Sequence, residues 1–244
     1  MIIFKIPKPI TIIGELSNKC LSYSSCNFTY ISNIGNKNKF LLNDDLKNFI
    51  NNNKQFLLKR KSELLKLAIH DNFYTIYTAL YGGLNFLNKT DTNWHNLKLE
   101  NNNDFLDNTL VFHIRKKFFK YKKIKTDTTF NLDLVHKMVE DAHDCYIKSN
   151  WSYFGKLIDS YWRVKKESDI NCRNEYISKL YAECRLSGAY GGKMDNNTMF
   201  LVAPKEKHEN IKNVMKEHIL LNNKININGI EKEEIFDGSS NCCR

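Results

Sequence analysis

Between Leu132 and Cys184 apolar residues return every three or four positions in three successive runs, the periodicity of amphipathic helices. Leu132, Val135, Val139, Ala142 and Tyr146 make one stripe. Phe154, Leu157, Ile158, Tyr161 and Val164 make a second, and Tyr176, Ile177, Leu180, Tyr181 and Cys184 a third, with Trp151 and Trp162 placed to close the packing. Each stripe has to be buried against a partner surface. The flanking segments supply one: residues 109–114 and 199–203 read as strands, 205–218 as a helix and 224–230 as a further strand. That order of elements makes an α+β sandwich.

The first ninety residues are less regular. Residues 10–13 read as a short buried strand, 14–25 as a small-residue polar connection, and the segment from Phe28 onward as a helix start. A strand, a Ser-rich turn and a helix start outline a phosphate cradle. Residues 35–53 are rich in Asn and Lys around an Asp44–Asp45 pair, as in surface loops and helix ends. Residues 54–68 place Phe56, Leu57, Leu64, Leu67 and Ala68 among charged neighbours and suit an amphipathic helix. Gly82 and Gly83 then mark a tight turn or a close backbone approach before a strand.

At 244 residues and 42% hydrophobic content the chain can bury a core as one large or two small domains, which excludes a disordered tail. The formal charge of +10 raises the question of a polyanion partner. Lys outnumbers Arg about five to one and about one residue in eight is Asn, the mark of AT-rich codons, so nucleic acid is discounted as a partner. The most nucleic-acid-like patch, residues 115–125 with Phe118, Phe119 and Tyr121 interleaved, reads as a solvated loop or edge. The 7 Cys residues form no C-x-x-C pair and no His stands at zinc spacing, which fits free thiols in a reducing compartment. Cys242–Cys243 lies out of register for prenylation. No apolar run reaches the roughly 18 residues of a membrane span and no signal peptide opens the chain, so the expected location is cytoplasmic.

The run Leu186-Ser-Gly-Ala-Tyr-Gly-Gly-Lys193, set between a helix and a strand, resembles the third motif of the GHMP kinases, the superfamily of galactokinase, homoserine kinase and mevalonate kinase. It is most similar to the D-glycero-D-manno-heptose 7-phosphate kinases. Pro204-Lys-Glu-Lys207 and Ile225-Asn-Ile-Asn-Gly229 follow in the family's order. Trp151-Ser-Tyr-Phe-Gly-Lys-Leu-Ile-Asp159 through Trp162-Arg-Val-Lys-Lys166 resembles the family's segment ahead of that motif, and Tyr81-Gly-Gly-Leu-Asn-Phe-Leu87 the stretch just after its catalytic aspartate. Leu21-Ser-Tyr-Ser-Ser25 is similar to a blurred Gly-Leu-Gly-Ser-Ser phosphate loop, so the resemblance runs from about residue 10 to residue 237.

The resemblance implies an α+β, truncated GHMP-kinase-like fold: a reduced N-terminal phosphate-loop half at residues 1–89 and a ferredoxin-like C-terminal half at residues 90–244. It implies ATP- and Mg²⁺-dependent phosphoryl transfer to the hydroxyl of a sugar or sugar phosphate. Ser24 and Ser25 would then meet nucleotide phosphate together with Gly191 and Gly192, Glu63 would hold the metal, and Lys193 would pair with a substrate phosphate. The packing alternatives are a Ser–Ser helix cap, an exposed helix Glu, glycines serving helix-to-strand packing, and a solvated Lys. Several departures point to impaired turnover. Thr75 stands where the catalytic Asp belongs and carries no charge to orient a hydroxyl, leaving Asp71, one helical turn earlier, as a substitute base. Met194-Asp-Asn-Asn-Thr198 replaces a Gly-rich loop, and Asp195 repels phosphate. The family's first strands are missing or reduced to the first dozen residues, which makes a protein partner supplying them an expectation. The rival reading is a non-catalytic pseudokinase that binds a sugar phosphate, nucleotide or protein; a weaker one is polyanion binding through residues 115–125.

Overall fold

The computed structural model describes residues 2–14, 19–32, 73–89, 94–100, 102–115, 131–168, 174–195, 197–229 and 231–234. In chain order the elements are β1 (Ile2–Ile13), β2 (Lys19–Ser32), α1 (Phe73–Tyr81), β3 (Leu84–Lys89), β4 (Trp94–Leu99), α2 (Asn103–Asp107) and β5 (Thr109–His113). There follow α3 (Leu132–Ile147), α4 (Trp151–Ser168), α5 (Glu175–Leu186), β6 (Gly191–Asp195), β7 (Thr198–Val202), a 3₁₀ turn (Lys205–Lys207), α6 (His208–Val214), β8 (Ile219–Leu220) and β9 (Glu231–Glu234). The strands form a five-stranded sheet in the order β4-β3-β2-β1-β9 and a four-stranded sheet in the order β6-β7-β5-β8. The chain divides into two compact units, one of Met1–Ile10, Ser22–Leu84 and Ile225–Arg244, the other of Thr11–Leu21 and Asn85–Lys224.

In the first unit β1 and β9 pair antiparallel, with Ile2 opposite Glu234 and Lys5 opposite Glu231. Helix α1 buries Tyr74, Ile76, Ala79 and Leu80 and stops at two successive glycines with φ of +68° and +77°, a backbone that L side chains rarely adopt. The turn before β3 therefore agrees with the sequence. β2 does not: residues 19–32 are one continuous strand, where the sequence suggested a polar connection and a helix start. The reason is visible in the burial of Cys20, Leu21, Ser22, Tyr23 and Ser24, all at 1% exposure or less. A strand covered on both faces shows no polar–apolar alternation, and small hydroxyls inside it mimic a turn.

The second unit has the β-α-β-β-α-β order of a ferredoxin-like half, with three helices in its first crossover. All pairs are antiparallel: Leu110 faces Leu201, Phe112 faces Met199 and Leu220, and Gly192 faces Leu201. Every residue of β5 and β7 is buried, so helices cover both faces, as their near-continuous apolar runs require. On one face Leu110, Phe112, Met199 and Leu201 pack with Ile177, Leu180, Cys184 and Ile211. A second, aromatic cluster centres on Phe105, whose ring lies 5.5–6.4 Å from those of Tyr146, Trp151, Phe154 and Phe200.

Asn starts the helices. Asn102, Asn131, Asn150 and Asn174 each accept a backbone N–H from the first turn of α2, α3, α4 and α5, at 2.9–3.2 Å. Such caps are typically worth about 1 kcal/mol apiece. The C-terminal elements are shorter than the sequence suggests. α6 ends at Val214, and residues 226–229 are a loop because the Asn226 side chain accepts the Gly229 N–H at 2.7 Å while Gly229 takes φ +72°. Cys20, Cys145 and Cys184 are free thiols.

His208, at the head of α6, donates from Nε2 to Ala203 O at 3.1 Å, yet its burial holds its pKa below the ordinary value. The unfolded imidazole charges near pH 6.5 and the folded one only at lower pH, so the unfolded state binds more protons in between. Stability should therefore fall as pH drops below about 6.5. Urea unfolding between pH 5 and 7.5 checks this; His208→Gln should flatten the slope, and an unchanged slope would assign it elsewhere.

Candidate functional site

In the first unit the positions singled out by the sequence meet at a backbone junction. The Ser24 N–H donates to Gly83 O at 3.0 Å, the Asn226 N–H to Ser24 O at 2.6 Å and the Gly83 N–H to Asn226 O at 2.6 Å. A side chain at Gly82 would overlap the Gly229 backbone, and one at Gly229 the Leu80 carbonyl, so these glycines are there for close approach. Ser22 Oγ and Thr78 Oγ1 bond at 2.7 Å inside the unit. Ser24 lies in mid-strand with no exposure, and no helix among the described residues begins beside it. Ser25 lies on the same strand, with only its backbone described. Thr75 sits half-buried on α1, seven residues before Gly82.

In the second unit the glycine run begins at the end of α5. The Ala189 N–H donates to Cys184 O and the Gly188 N–H to Arg185 O, each at 3.1 Å, with Gly188 at φ +110°: a left-handed helix stop. Gly191 and Gly192 then form the first residues of β6, buried and in strand register with β7. A Cβ on Gly191 would overlap the Gly155 carbonyl of α4, and one on Gly192 the Phe200 carbonyl of β7. α4 and β6 run in step from there: Gly155 meets Gly191, Tyr161 meets Lys193 and Lys165 meets Asp195. Ten helical residues rise about 15 Å and four strand residues about 13 Å, so the match is that of two elements laid side by side.

A hydrogen-bonded chain fixes this contact. Tyr181 of α5 donates its hydroxyl to Asp159 Oδ1 at 2.6 Å, and Asp159 Oδ2 lies 2.8 Å from Arg163. Burial, the bond to Asp159 and that residue's charge hold the Tyr181 phenol far above its ordinary range, so it stays a neutral donor. Packing of helix on strand, the alternative weighed for these glycines, is what the geometry displays.

Lys193 is not a solvated side chain. Its side chain is 1% exposed, with Nζ 5.7 Å from the centre of the Tyr161 ring, a cation–π distance. Met194 and Asp195, expected in a loop, belong to β6; Lys165 Nζ stands 3.9 Å from Asp195 Oδ1. The hairpin is tied into the sheet by the Ile114 N–H, which donates to Asn197 O at 2.8 Å. The signal missed in the sequence was the Gly155–Gly191 pair, one glycine on each of two elements that touch.

Glu63 and Asp71, the metal and substitute-base candidates, lie outside the described residues, as does the basic segment beyond Arg115. Among the described residues no group of three His, Cys, Asp or Glu side chains is arranged to hold a metal ion. Gly191 and Gly192 pack against the Gly155 and Phe200 carbonyls, and Ser24 is buried within β2. No helix among the described residues is long and apolar enough to cross a membrane.

Neither the protein-family models nor the curated proteins include a match to this sequence. Solved structures do match. A protein described as a sugar kinase from Campylobacter jejuni aligns at 14% identity and TM-score 0.64 over 96% of this chain and 98% of its own. A D-glycero-D-manno-heptose 1-phosphate kinase from Bacteroides thetaiotaomicron aligns at 10% identity and TM-score 0.63, over 97% and 100%. Mevalonate diphosphate decarboxylase from Staphylococcus aureus aligns at 14% identity and TM-score 0.61, over 96% and 99%. Identities this low speak to backbone arrangement alone, and on that arrangement this chain has the fold of the GHMP kinases.

Proposed function

We propose that this protein is a relative of the GHMP sugar and sugar-phosphate kinases in which phosphoryl transfer is impaired. One observation carries the reading: the glycine run that resembles the family's third motif is taken up by packing, with Gly191 against the Gly155 carbonyl and Gly192 against the Phe200 carbonyl. Backbone closed in by neighbouring carbonyls leaves no room beside it for a transferring phosphoryl group. Thr75 adds to it. A hydroxyl held half-buried on α1 does not take up a proton at neutral pH, so a sugar hydroxyl placed beside it would gain no general base.

ATP and Mg²⁺ are the reactants that the resemblance implies, and one structural neighbour was solved with AMPPCP and magnesium. Mg²⁺ would neutralise charge between the terminal phosphates when bound. The substrate class is a sugar or sugar phosphate. A binding role without turnover is the second reading, favoured by the same closed motif.

Calorimetry with Mg²⁺-ATP and with a panel of sugar phosphates, on the wild type and on Thr75→Asp, tests the proposal. Restoring a carboxylate at residue 75 should raise phosphoryl transfer by about 10²-fold or more, the usual worth of a placed general base. If Thr75→Asp has no effect while the wild type binds sugar phosphate, the second reading stands.

A further inference from the structure

Period-two alternation in β2 sends Ser22 and Ser24 to one side of the strand and Tyr23 to the other. Ser22 Oγ meets Thr78 Oγ1 of α1 at 2.7 Å, and all three hydroxyl residues, Ser22, Ser24 and Thr78, are 1% exposed or less. Ser24 Oγ is buried with no hydrogen-bond partner among the described residues. Its main chain is fully engaged, the N–H to Gly83 and the carbonyl from Asn226, so the residue has no freedom to turn its hydroxyl toward solvent.

The proton count of this group leaves a surplus. Three hydroxyls carry three protons, and the Ser22–Thr78 bond uses one. The accepting hydroxyl of that pair and Ser24 each keep a proton to donate. Residues two apart on a strand are separated by about 6.6 Å, and one oxygen accepting two O–H bonds of about 2.8 Å at a tetrahedral angle spans about 4.6 Å, a gap that side chains leaning together by about 1 Å each would close.

We propose that Ser24 and the Ser22–Thr78 pair bind one internal water, held between them as a double acceptor. The site is polar, enclosed and offers the two or three partners that buried waters take. It gives the serines of β2 a role in hydrating the interior of the first unit, independent of any nucleotide and of the reading proposed above.

The test uses the full chain. In wild-type protein, oxygen-17 relaxation dispersion should count one more long-lived water than in Ser24→Ala. The melting temperature of Ser24→Ala should fall by about 2–4 °C, the shift that a chain of this length shows for one lost hydrogen-bonded group. Ser22→Ala combined with Thr78→Val deletes whichever hydroxyl accepts within the pair, removes the other end of the bridge and gives the same readouts should Ser24→Ala fail to fold. Adding Ser24→Ala to it should cost less than the sum, because both remove the same water. A Ser24→Ala protein that melts at the wild-type temperature or above, with the count of long-lived waters unchanged, overturns the proposal, since deleting an unbridged buried hydroxyl relieves the fold.

Discussion

Gly191→Ala is expected to cost roughly 3–5 kcal/mol, above the usual range for overpacking because the obstruction is backbone rather than a movable side chain. The added methyl would overlap the Gly155 carbonyl, with Asp159 Cβ 3.1 Å away on the same helix. α4 cannot yield locally. It is tied to β6 again through Tyr161 over Lys193 and Lys165 beside Asp195, and to α5 through Asp159 and Tyr181. Relief therefore requires the whole helix to lift, opening the sheet face beneath it. Urea unfolding of the wild type and the variant reads the loss directly. Near-wild-type stability would show that α4 and β6 are not in close contact, and the packing role of the glycine run would fail with it.

Phe105→Ala is the second large effect, at about 3–5 kcal/mol, the range for deleting a buried aromatic ring from a core that relaxes only in part. Phe105 is completely buried and its ring is shared by four others: Tyr146, Trp151, Phe154 and Phe200. Two of these have polar ends already fixed, Tyr146 donating to Glu100 O at 2.6 Å and the Trp151 indole donating to Asp104, so they cannot swing in to fill the space. Phe105→Leu, which refills much of the volume, should recover more than half of the loss. Equal losses for the two substitutions would mean that ring geometry rather than filled volume sets the cost.

The second unit was legible in the sequence because its elements advertise themselves. The stripes of α3, α4 and α5 are each long enough to set a helical period, and β5 and β7 are apolar runs too short for anything but buried strands. β6 was hidden. Gly191-Gly-Lys-Met-Asp195 has no strand propensity of its own; pairing with β7 and the need for bare backbone under α4 make it one. β2 was misread for a related reason, since Ser22 and Ser24 look like turn residues until their partners on α1 and at Gly83 are seen. The Asn content, attributed to codon usage, includes the four side chains that start α2 to α5. Residues 224–230 alternate like a strand, but Asn226 bonds back to Gly229 and turns the chain instead.

The candidate site was legible only as a pattern. The sequence placed glycines, a Lys and a Thr at the motif positions, and what those residues do depends on long-range neighbours: Gly155 for Gly191, Phe200 for Gly192 and Tyr161 for Lys193. The backbone arrangement persists at these residues on side chains that pack against their neighbours, and a shared fold does not by itself carry a shared chemistry.

The most direct measurement is the rate of ADP formation by the wild-type protein with Mg²⁺-ATP and a panel of sugars and sugar phosphates. A chain whose third motif is closed and whose α1 carries Thr75 should show no release above the uncatalysed background. Turnover at about 1 s⁻¹ or faster, the ordinary range for enzymes of this kind, would contradict impaired phosphoryl transfer and return the glycine run to a catalytic role.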